Sequence, residues 1–232
     1  MNRPYIICHM VTSLDGKVTG DFLFKPECAS ATEIYYDINR NTKSNGFICG
    51  RVTMEGSFTG GYYPDLSKYE PVKEKVDYVP ENLSGFYAVA FDPKGKLGWK
   101  SNKIIDPDGD PGYDGAQIIE VLTEQADDRY LSYLMDMEIP FIIAGETEID
   151  VDFALLKLKN IIGCETLLLE GGSIINGAFQ RADVIDELSL VVAPIVADKN
   201  DKPLFMDSTT QNFKLIKSET QNGNLILNYK RK

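Results

Sequence analysis

Three short segments of the sequence combine charged side chains with glycines, each just after an apolar run. They are Ser13-Leu14-Asp15-Gly16-Lys17, Gly50-Arg51-Val52-Thr53 and Glu170-Gly171-Gly172-Ser173. Glycines at a strand-to-helix turn let backbone N–H groups approach a ligand, and the start of a helix favours negative charge. Arginine forms bidentate contacts with phosphate, while lysine and glutamate can steady charge and move protons. These residue types predict a site for a phosphate-bearing nucleotide beside a reacting group.

Each segment also has a simpler interpretation when it is taken alone. Asp15-Gly16 is an ordinary turn dipeptide, Arg51 could be a surface side chain, and Glu170 could be a solvated cap. Open α/β sheets, however, bind ligands outside the carboxyl ends of their strands. Three such segments at the strand ends of one sheet are therefore more consistent with a shared ligand site than with chance.

The order of apolar segments predicts the elements that position these residues. Strands are predicted at residues 5–14, 47–49, 86–91, 117–122, 141–144 and 166–169, and helices at 29–40, 52–56, 128–137, 151–162 and 173–179. Further strands are predicted at 188–196, 213–217 and 225–229, the last two joined by Asn222-Gly223, a strong hairpin signal. The pattern predicts an α/β fold with a mixed, largely parallel central sheet, flanking helices and a C-terminal antiparallel section. We expect one domain over residues 1–232.

Composition and charge narrow the class of protein. The 232 residues carry a net charge of −11, which argues against nucleic acid or an anionic membrane as a partner. No apolar run is long enough for a membrane span, and the polar Asn2-Arg3-Pro4 start predicts no signal peptide. The scattered cysteines and the lone His9 have no zinc spacing, so no metal site is predicted. We expect a cytoplasmic protein with reduced thiols that acts on a small molecule.

Taken together, the motifs resemble the reductase domain of the riboflavin-biosynthesis deaminase–reductases, within the dihydrofolate-reductase-like superfamily. The segments that carry the resemblance are Ser13–Lys17, Gly50–Thr53, Leu169–Gly172 and Val184-Ile185-Asp186-Glu187-Leu188, continuing to Val192-Ala193-Pro194. Their order and spacing match over nearly the whole chain. The combination is specific, although no single piece of it is.

The resemblance implies a dihydrofolate-reductase-like fold that binds NADPH along the strand ends. Gly50 and Thr53 would hold the phosphate portion of the cofactor, and Arg51 its 2′-phosphate. The Gly171-Gly172-Ser173 turn would receive the pyrophosphate. The resemblance also implies a homodimer, for which the late β region is our candidate interface.

The implied reaction is hydride transfer to C1 of an open-chain ribosylaminopyrimidine, such as 5-amino-6-(5-phosphoribosylamino)uracil, to give a ribitylamino product. In this family Lys17 and Glu170 face the sugar of the substrate, and Asp15 shapes the same pocket. The pathway enzymes usually carry an Asp-Asn-Pro segment and an arginine shortly after the second motif, where this chain has residues 54–61 (MEGSFTGG). No deaminase signature is present. The resemblance therefore implies the fold and cofactor more strongly than the substrate.

Two alternatives remain open at this point. One is a dihydrofolate reductase or another pterin or carbonyl reductase. Dihydrofolate reductase itself would need an acidic residue on the first helix facing the pterin, for which Glu27 and Glu33 are approximate candidates. A non-catalytic nucleotide-binding protein would need neither Lys17 nor Glu170, so their presence argues against it. Trp99, between Gly98 and Lys100, could cap a ligand, but a packing role is the favoured interpretation.

Overall fold

The computed structural model describes residues 2–83 and 85–232, so Met1, the first residue of the predicted domain, lies outside the described residues. By its internal contacts the chain divides into two compact units. The first unit comprises Met1–Pro4 and Ser44–Glu165, and the second comprises Tyr5–Lys43 and Thr166–Lys232. That residues 1–232 act as one domain stays a prediction.

Nine strands and five α-helices occur in the described residues. The strands are β1 (Tyr5–Thr12), β2 (Gly46–Gly50), β3 (Tyr87–Phe91), β4 (Gln117–Leu122), β5 (Phe141–Ile143), β6 (Thr166–Leu169), β7 (Glu187–Val192), β8 (Phe213–Gln221) and β9 (Asn224–Arg231). The α-helices are α1 (Pro26–Asn41), α2 (Arg51–Met54), α3 (Asp128–Asp136), α4 (Val151–Lys157) and α5 (Ser173–Arg181). Single π-helical turns, Glu55–Thr59 and Leu158–Ile162, extend α2 and α4.

The first unit contains four strands in the order β5-β4-β3-β2, all parallel. Strands β3 and β4 are buried at every position, as expected of parallel strands covered on both faces. Helices α3 and α4 begin where Asp127 and Asp150 accept hydrogen bonds from backbone N–H groups of the first turn. Residues 60–82 run irregularly apart from a 3₁₀ turn at Leu66–Lys68 and an isolated bridge between Tyr78 and Phe141.

The second unit contains five strands in the order β6-β1-β7-β9-β8. Strand β1 pairs in parallel with β6 and β7, whereas β9 pairs antiparallel with β7 and β8. The predicted hairpin forms at Asn222 and Gly223, whose positive φ values of 51° and 81° are those a two-residue type I′ turn requires. The predicted fold class, largely parallel with an antiparallel C-terminal section, is confirmed.

One predicted boundary is wrong in a way that matters for the site. The seventh strand ends at Val192 instead of continuing to residue 196. Pro194 has no N–H group to give to a ladder, so the chain leaves the sheet there. The residues that follow, Ile195–Met206, form an irregular segment that we call the return segment.

The interior of the second unit contains a buried histidine. His9 on β1 is fully buried, and its ring stacks on Tyr35 of α1 with centroids 4.4 Å apart. We assign the tautomer in which Nε2–H donates to the Tyr35 carbonyl and Nδ1 accepts from the Ser189 hydroxyl. Burial lowers the pKa of His9 to about 4. The ring is therefore neutral at pH 7 and belongs to the core.

Candidate active site

The turn after β1 is organised by its own side chains. The Ser13 hydroxyl donates to Asp15 Oδ1 at 2.7 Å and accepts from the Lys17 N–H at 2.9 Å. Asp15 also accepts from the backbone N–H of Ala197 in the return segment at 3.0 Å. That bond, followed by the Ser13 bond, holds the pKa of Asp15 below its usual value. Asp15 is thus an ionised, exposed residue that fixes the turn against the return segment.

Lys17 is held at both its backbone and its side chain. Its half-buried ammonium donates to the backbone carbonyl of Asp201 at 2.9 Å. Its backbone forms an isolated antiparallel bridge with Pro203. The ammonium is consequently directed by main-chain groups of the return segment, and it keeps two further N–H bonds for other acceptors.

Glu170 follows β6 directly and is 6% exposed. Its Oε1 accepts a hydrogen bond from the Asn39 side chain on α1 at 2.7 Å. The next two residues, Gly171 and Gly172, have φ values of 144° and 90°, a region that side chains disfavour. The double glycine therefore allows the chain to turn sharply from the carboxylate into α5.

Helix α5 starts without a side-chain cap at Gly172. Ser173 is buried and donates from its hydroxyl to the Pro203 carbonyl, while its own carbonyl accepts from the Met206 N–H at 2.9 Å. Asn176, one turn into α5, is fully buried, and neither side-chain polar atom has a partner in the described part of the chain. An uncapped helix start beside a buried amide without a partner fits an anionic group such as a pyrophosphate.

The return segment joins the predicted site residues of the second unit. Pro203 contacts both the backbone of Lys17 and the hydroxyl of Ser173. The structure thus brings together Asp15, Lys17 and Ser173 through one segment. The sequence analysis missed this segment beyond Pro194, and its turn-forming residues, Asp198 to Asp201, were the available signal.

The Gly50–Thr53 motif lies in the first unit, at the carboxyl end of β2. Gly50 has φ −77° and ψ 160°, an extended conformation that any residue adopts, so backbone geometry does not require glycine there. Arg51 Nη1 pairs with Glu55 Oε2 at 2.7 Å, both side chains being about one-third exposed. Thr53, the third residue of α2, is half-buried. Arg51 therefore presents a partly exposed guanidinium that already has a carboxylate partner.

A buried carboxyl cluster lies behind this motif in the first unit. Burial raises the pKa of Asp92, opposed by hydrogen bonds from Leu97 and Lys96 N–H and by the Arg51 charge. Glu120 is fully buried, and burial followed by the Asp92 charge raises its pKa well above the usual value. Trp99 is 4% exposed and donates from Nε1 to Glu120 at 2.5 Å. Trp99 therefore packs and bonds internally, as favoured by the sequence.

The comparisons with known proteins agree with the fold. Riboflavin biosynthesis reductase Rib7 of Saccharomyces cerevisiae matches all of this chain and 91% of its own, with a TM-score of 0.65 at 14% identity. RibD of Acinetobacter baumannii matches with a TM-score of 0.64 at 18% identity, and this chain spans 59% of its length. These likenesses show that the chain has the fold of these two proteins, which is the dihydrofolate-reductase-like fold that the sequence motifs implied.

Comparison of the amino-acid sequence with known families identifies the family of this chain. The profile of the RibD C-terminal domain matches residues 112–227, half of the chain, and the chain belongs to that family. A 2,5-diamino-6-ribosylamino-4(3H)-pyrimidinone 5′-phosphate reductase of Aquifex aeolicus is 29% identical over 228 residues, covering 94% of this chain and 88% of the relative. The chain is an oxidoreductase of riboflavin biosynthesis. No helix among its described residues is long and apolar enough to cross a membrane.

Proposed function

We propose that the chain is an NADPH-dependent reductase of a ribosylaminopyrimidine 5′-phosphate, with the named substrate of the Aquifex relative as the first candidate. The observation that carries the proposal is the contact of Pro203 with both the Lys17 turn and Ser173. This contact brings a candidate proton donor close to a candidate phosphate-binding helix start. The second candidate substrate is 5-amino-6-(5-phosphoribosylamino)uracil. It ranks second because this chain lacks the Asp-Asn-Pro segment that the pathway enzymes usually carry.

The cofactor-holding residues are proposed separately for each unit. In the first unit, Gly50, Arg51 and Thr53 would bind the adenosine phosphates, with Arg51 on the 2′-phosphate. In the second unit, the Gly171-Gly172-Ser173 turn would bind the pyrophosphate at the start of α5. The bound dihydronicotinamide would supply the hydride.

Lys17 is proposed as the residue that manages charge at the reacting carbon and nitrogen. As C1 of the open-chain sugar gains hydride, the attached nitrogen gains electron density and must receive a proton. The Lys17 ammonium, steadied by the Asp201 carbonyl, can donate it or stabilise the developing charge. Glu170 would bind the sugar hydroxyls, and Asp15 would keep the lysine turn in place.

The experiment is NADPH oxidation with the diamino substrate, the uracil substrate and dihydrofolate in parallel. Turnover of either ribosylaminopyrimidine, strongly reduced in Lys17→Ala while NADPH binding persists, supports the proposal. Rapid turnover of dihydrofolate alone would replace the proposal with a dihydrofolate reductase. The candidate acidic residues for that activity, Glu27 and Glu33, are both exposed. Tight NADPH binding without turnover of any compound would reduce the chain to a nucleotide-binding protein.

The same binding assay tests the cofactor assignment. Arg51→Ala should weaken the binding of NADPH about ten- to a hundredfold, which is the usual effect of losing a charge-assisted phosphate contact. It should leave the affinity for NADH unchanged. Thr53→Ala should lower the affinity for both dinucleotides by a smaller factor. Equal affinity of the unaltered protein for NADPH and NADH would overturn the 2′-phosphate assignment.

A homodimer through the late β region is also proposed. Strand β8 is the edge of its sheet and is exposed along almost its whole length, including Leu215 and Ile216. Exposed edge strands with apolar side chains are ready-made pairing surfaces. Light scattering should give about twice the 25.9 kDa chain mass, and a single-chain particle would remove the proposal.

A cytoplasmic location completes the proposal. All four cysteines are buried free thiols. Free thiols are typical of compartments in which glutathione keeps cysteine reduced.

A further inference from the structure

A buried polar contact joins the last turn of α1 to the residue that ends β6. Asn39 Nδ2 donates to Glu170 Oε1 at 2.7 Å, and the two residues are 5% and 6% exposed. They are 131 positions apart in the sequence. The contact therefore depends on the folded second unit and not on local chain geometry.

An asparagine is an unfavourable choice for its position in α1. Asparagine is a weaker helix former than alanine or leucine, and burying an amide is costly unless it is hydrogen-bonded. The other buried positions of α1 are the small or apolar residues Cys28, Ala31 and Ile34. Packing and helix propensity alone would favour an apolar residue at position 39, so the amide is best explained by the carboxylate that it contacts.

We propose that Asn39 is a positioning residue that holds the Glu170 carboxylate in one orientation and favours its ionised form. The proposal rests on the proposed function, in which Glu170 binds the sugar of the substrate. A hydrogen bond from a neutral amide stabilises a carboxylate without neutralising it, whereas burial alone would favour the protonated acid. Asn39 would thus let a buried glutamate keep its charge and direction for the substrate.

Cys8, on β1, is a titratable residue whose thiol interacts electrostatically with this carboxylate. It is fully buried, and burial followed by the Glu170 charge raises the pKa of its thiol. The thiol is therefore uncharged throughout the range in which a carboxyl titrates. A change in Glu170 titration after substitution of Asn39 would not arise from Cys8.

The first test is a double-mutant cycle with Asn39→Leu and Glu170→Gln. Asn39→Leu keeps the approximate volume and removes the donor, so kcat/KM should fall about ten- to a hundredfold, mainly through a higher KM for the pyrimidine. NADPH affinity should be unchanged. In the Glu170→Gln background the same substitution should cost less than about threefold, because Asn39 acts through the charge already removed. The proposal would be overturned if the loss in the double mutant equalled the product of the two single losses. Wild-type kinetics in Asn39→Leu would also overturn it.

A matched control lies two residues away on the same helix. Asn41 is exposed, and its side chain donates to the backbone carbonyl of Asp37. Asn41→Leu makes the same chemical change without touching Glu170, so it should leave kcat/KM and KM at wild-type values. A loss equal to that of Asn39→Leu would mean that α1 tolerates no such change and that Asn39 has no special role.

The second test measures the titration of the Glu170 carboxyl directly and does not require enzyme turnover. The Glu170 side chain, labelled with carbon-13, is titrated by NMR in the wild type, Asn39→Leu and Asn39→Asp. Asn39→Leu should raise the pKa of Glu170. Asn39→Asp keeps the shape and places two carboxyl groups at 2.7 Å, so the pair should retain one proton to higher pH. Unchanged Glu170 titration in both variants would overturn the proposal.

The two tests separate this inference from the proposed function. If the wild type reduces none of the candidate substrates, the proposed function fails, while the carboxyl titration still decides whether Asn39 controls Glu170. If turnover occurs and the titration does not respond, the positioning role alone is refuted. Asn39→Asp also serves when Asn39→Leu does not fold, because it is isosteric with the native residue.

Discussion

Gly177, in the middle of α5, offers a sharp test of the return segment. A Cβ at this position would lie 1.9 Å from the Met206 carbonyl oxygen, 2.9 Å from its carbon and 3.0 Å from its nitrogen. Close carbon–oxygen contacts in proteins are about 3.3 Å or longer. Gly177→Ala must therefore separate α5 from the return segment by more than an ångström.

The expected cost can be worked from the contacts at stake. Overpacking of this kind costs about 1–3 kcal/mol, and alanine returns about 1 kcal/mol through helix propensity. Separation also weakens the Met206 N–H bond to Ser173 and the Arg181 bond to the Met206 carbonyl, at about 0.5–1.5 kcal/mol each. The net destabilisation should be about 3 kcal/mol. In a chain of this size that lowers Tm by about 6–12 °C.

Thermal unfolding followed by circular dichroism measures this loss, and Gly56→Ala is the matched control. Gly56 lies in the π-helical turn after α2, where an added Cβ meets nothing within 4 Å. The control should unfold at or above the wild-type temperature. Because the return segment also holds Lys17, Gly177→Ala should lower kcat/KM as well. Wild-type Tm and kcat/KM in Gly177→Ala would refute the assigned contact between α5 and the return segment.

Two predictions concern stability elsewhere in the chain. His9 has a folded-state pKa of about 4 against 6.5 unfolded, so the unfolded state binds the extra proton between those values. The free energy of unfolding should fall by about 3 kcal/mol as the pH drops through that window, and His9→Gln should flatten this slope in urea titrations. Tyr130→Phe leaves the Leu97 carbonyl and Glu120 carboxyl without the hydroxyl that donates at 2.7 and 3.3 Å. It should cost about 1–3 kcal/mol in urea unfolding, and an unchanged midpoint would contradict the assigned bonds.

The fold was predictable where the signal is local. Strands β4 and β6 occupy the predicted residues because each is a short, mostly apolar segment between less apolar stretches. The hairpin at Asn222-Gly223 is equally local, since both residues accept the positive φ that the turn needs. The strand after Asp186 was overextended because apolar composition continues beyond the point where Pro194 ends the pairing.

The candidate site was only partly predictable because its contacts are long-range. Lys17 and Glu170 are identifiable from their motifs. Asn39, in contrast, is followed in sequence by Arg40 and Asn41 and resembles another solvated helix residue. Its burial depends on a strand end 131 positions away. In the sequence, Gly177 is only a residue of low helix propensity within α5. Its role becomes clear from the structure, where the Met206 carbonyl packs against it.

The contact between the return segment and the Lys17 turn could not be predicted from side-chain patterns. It holds the Lys17 turn mainly through main-chain groups: the carbonyls of Asp201 and Lys202 accept from Lys17 Nζ and Val18 N–H, and Leu204 N–H donates to Gly16. Main-chain bonds are available to almost any sequence, so residue identity there is weakly constrained, while segment length is strongly constrained. A one-residue insertion between Asp198 and Pro203 would shift every one of these bonds out of register. Conservative side-chain changes at Lys199 or Asn200 would leave them in place.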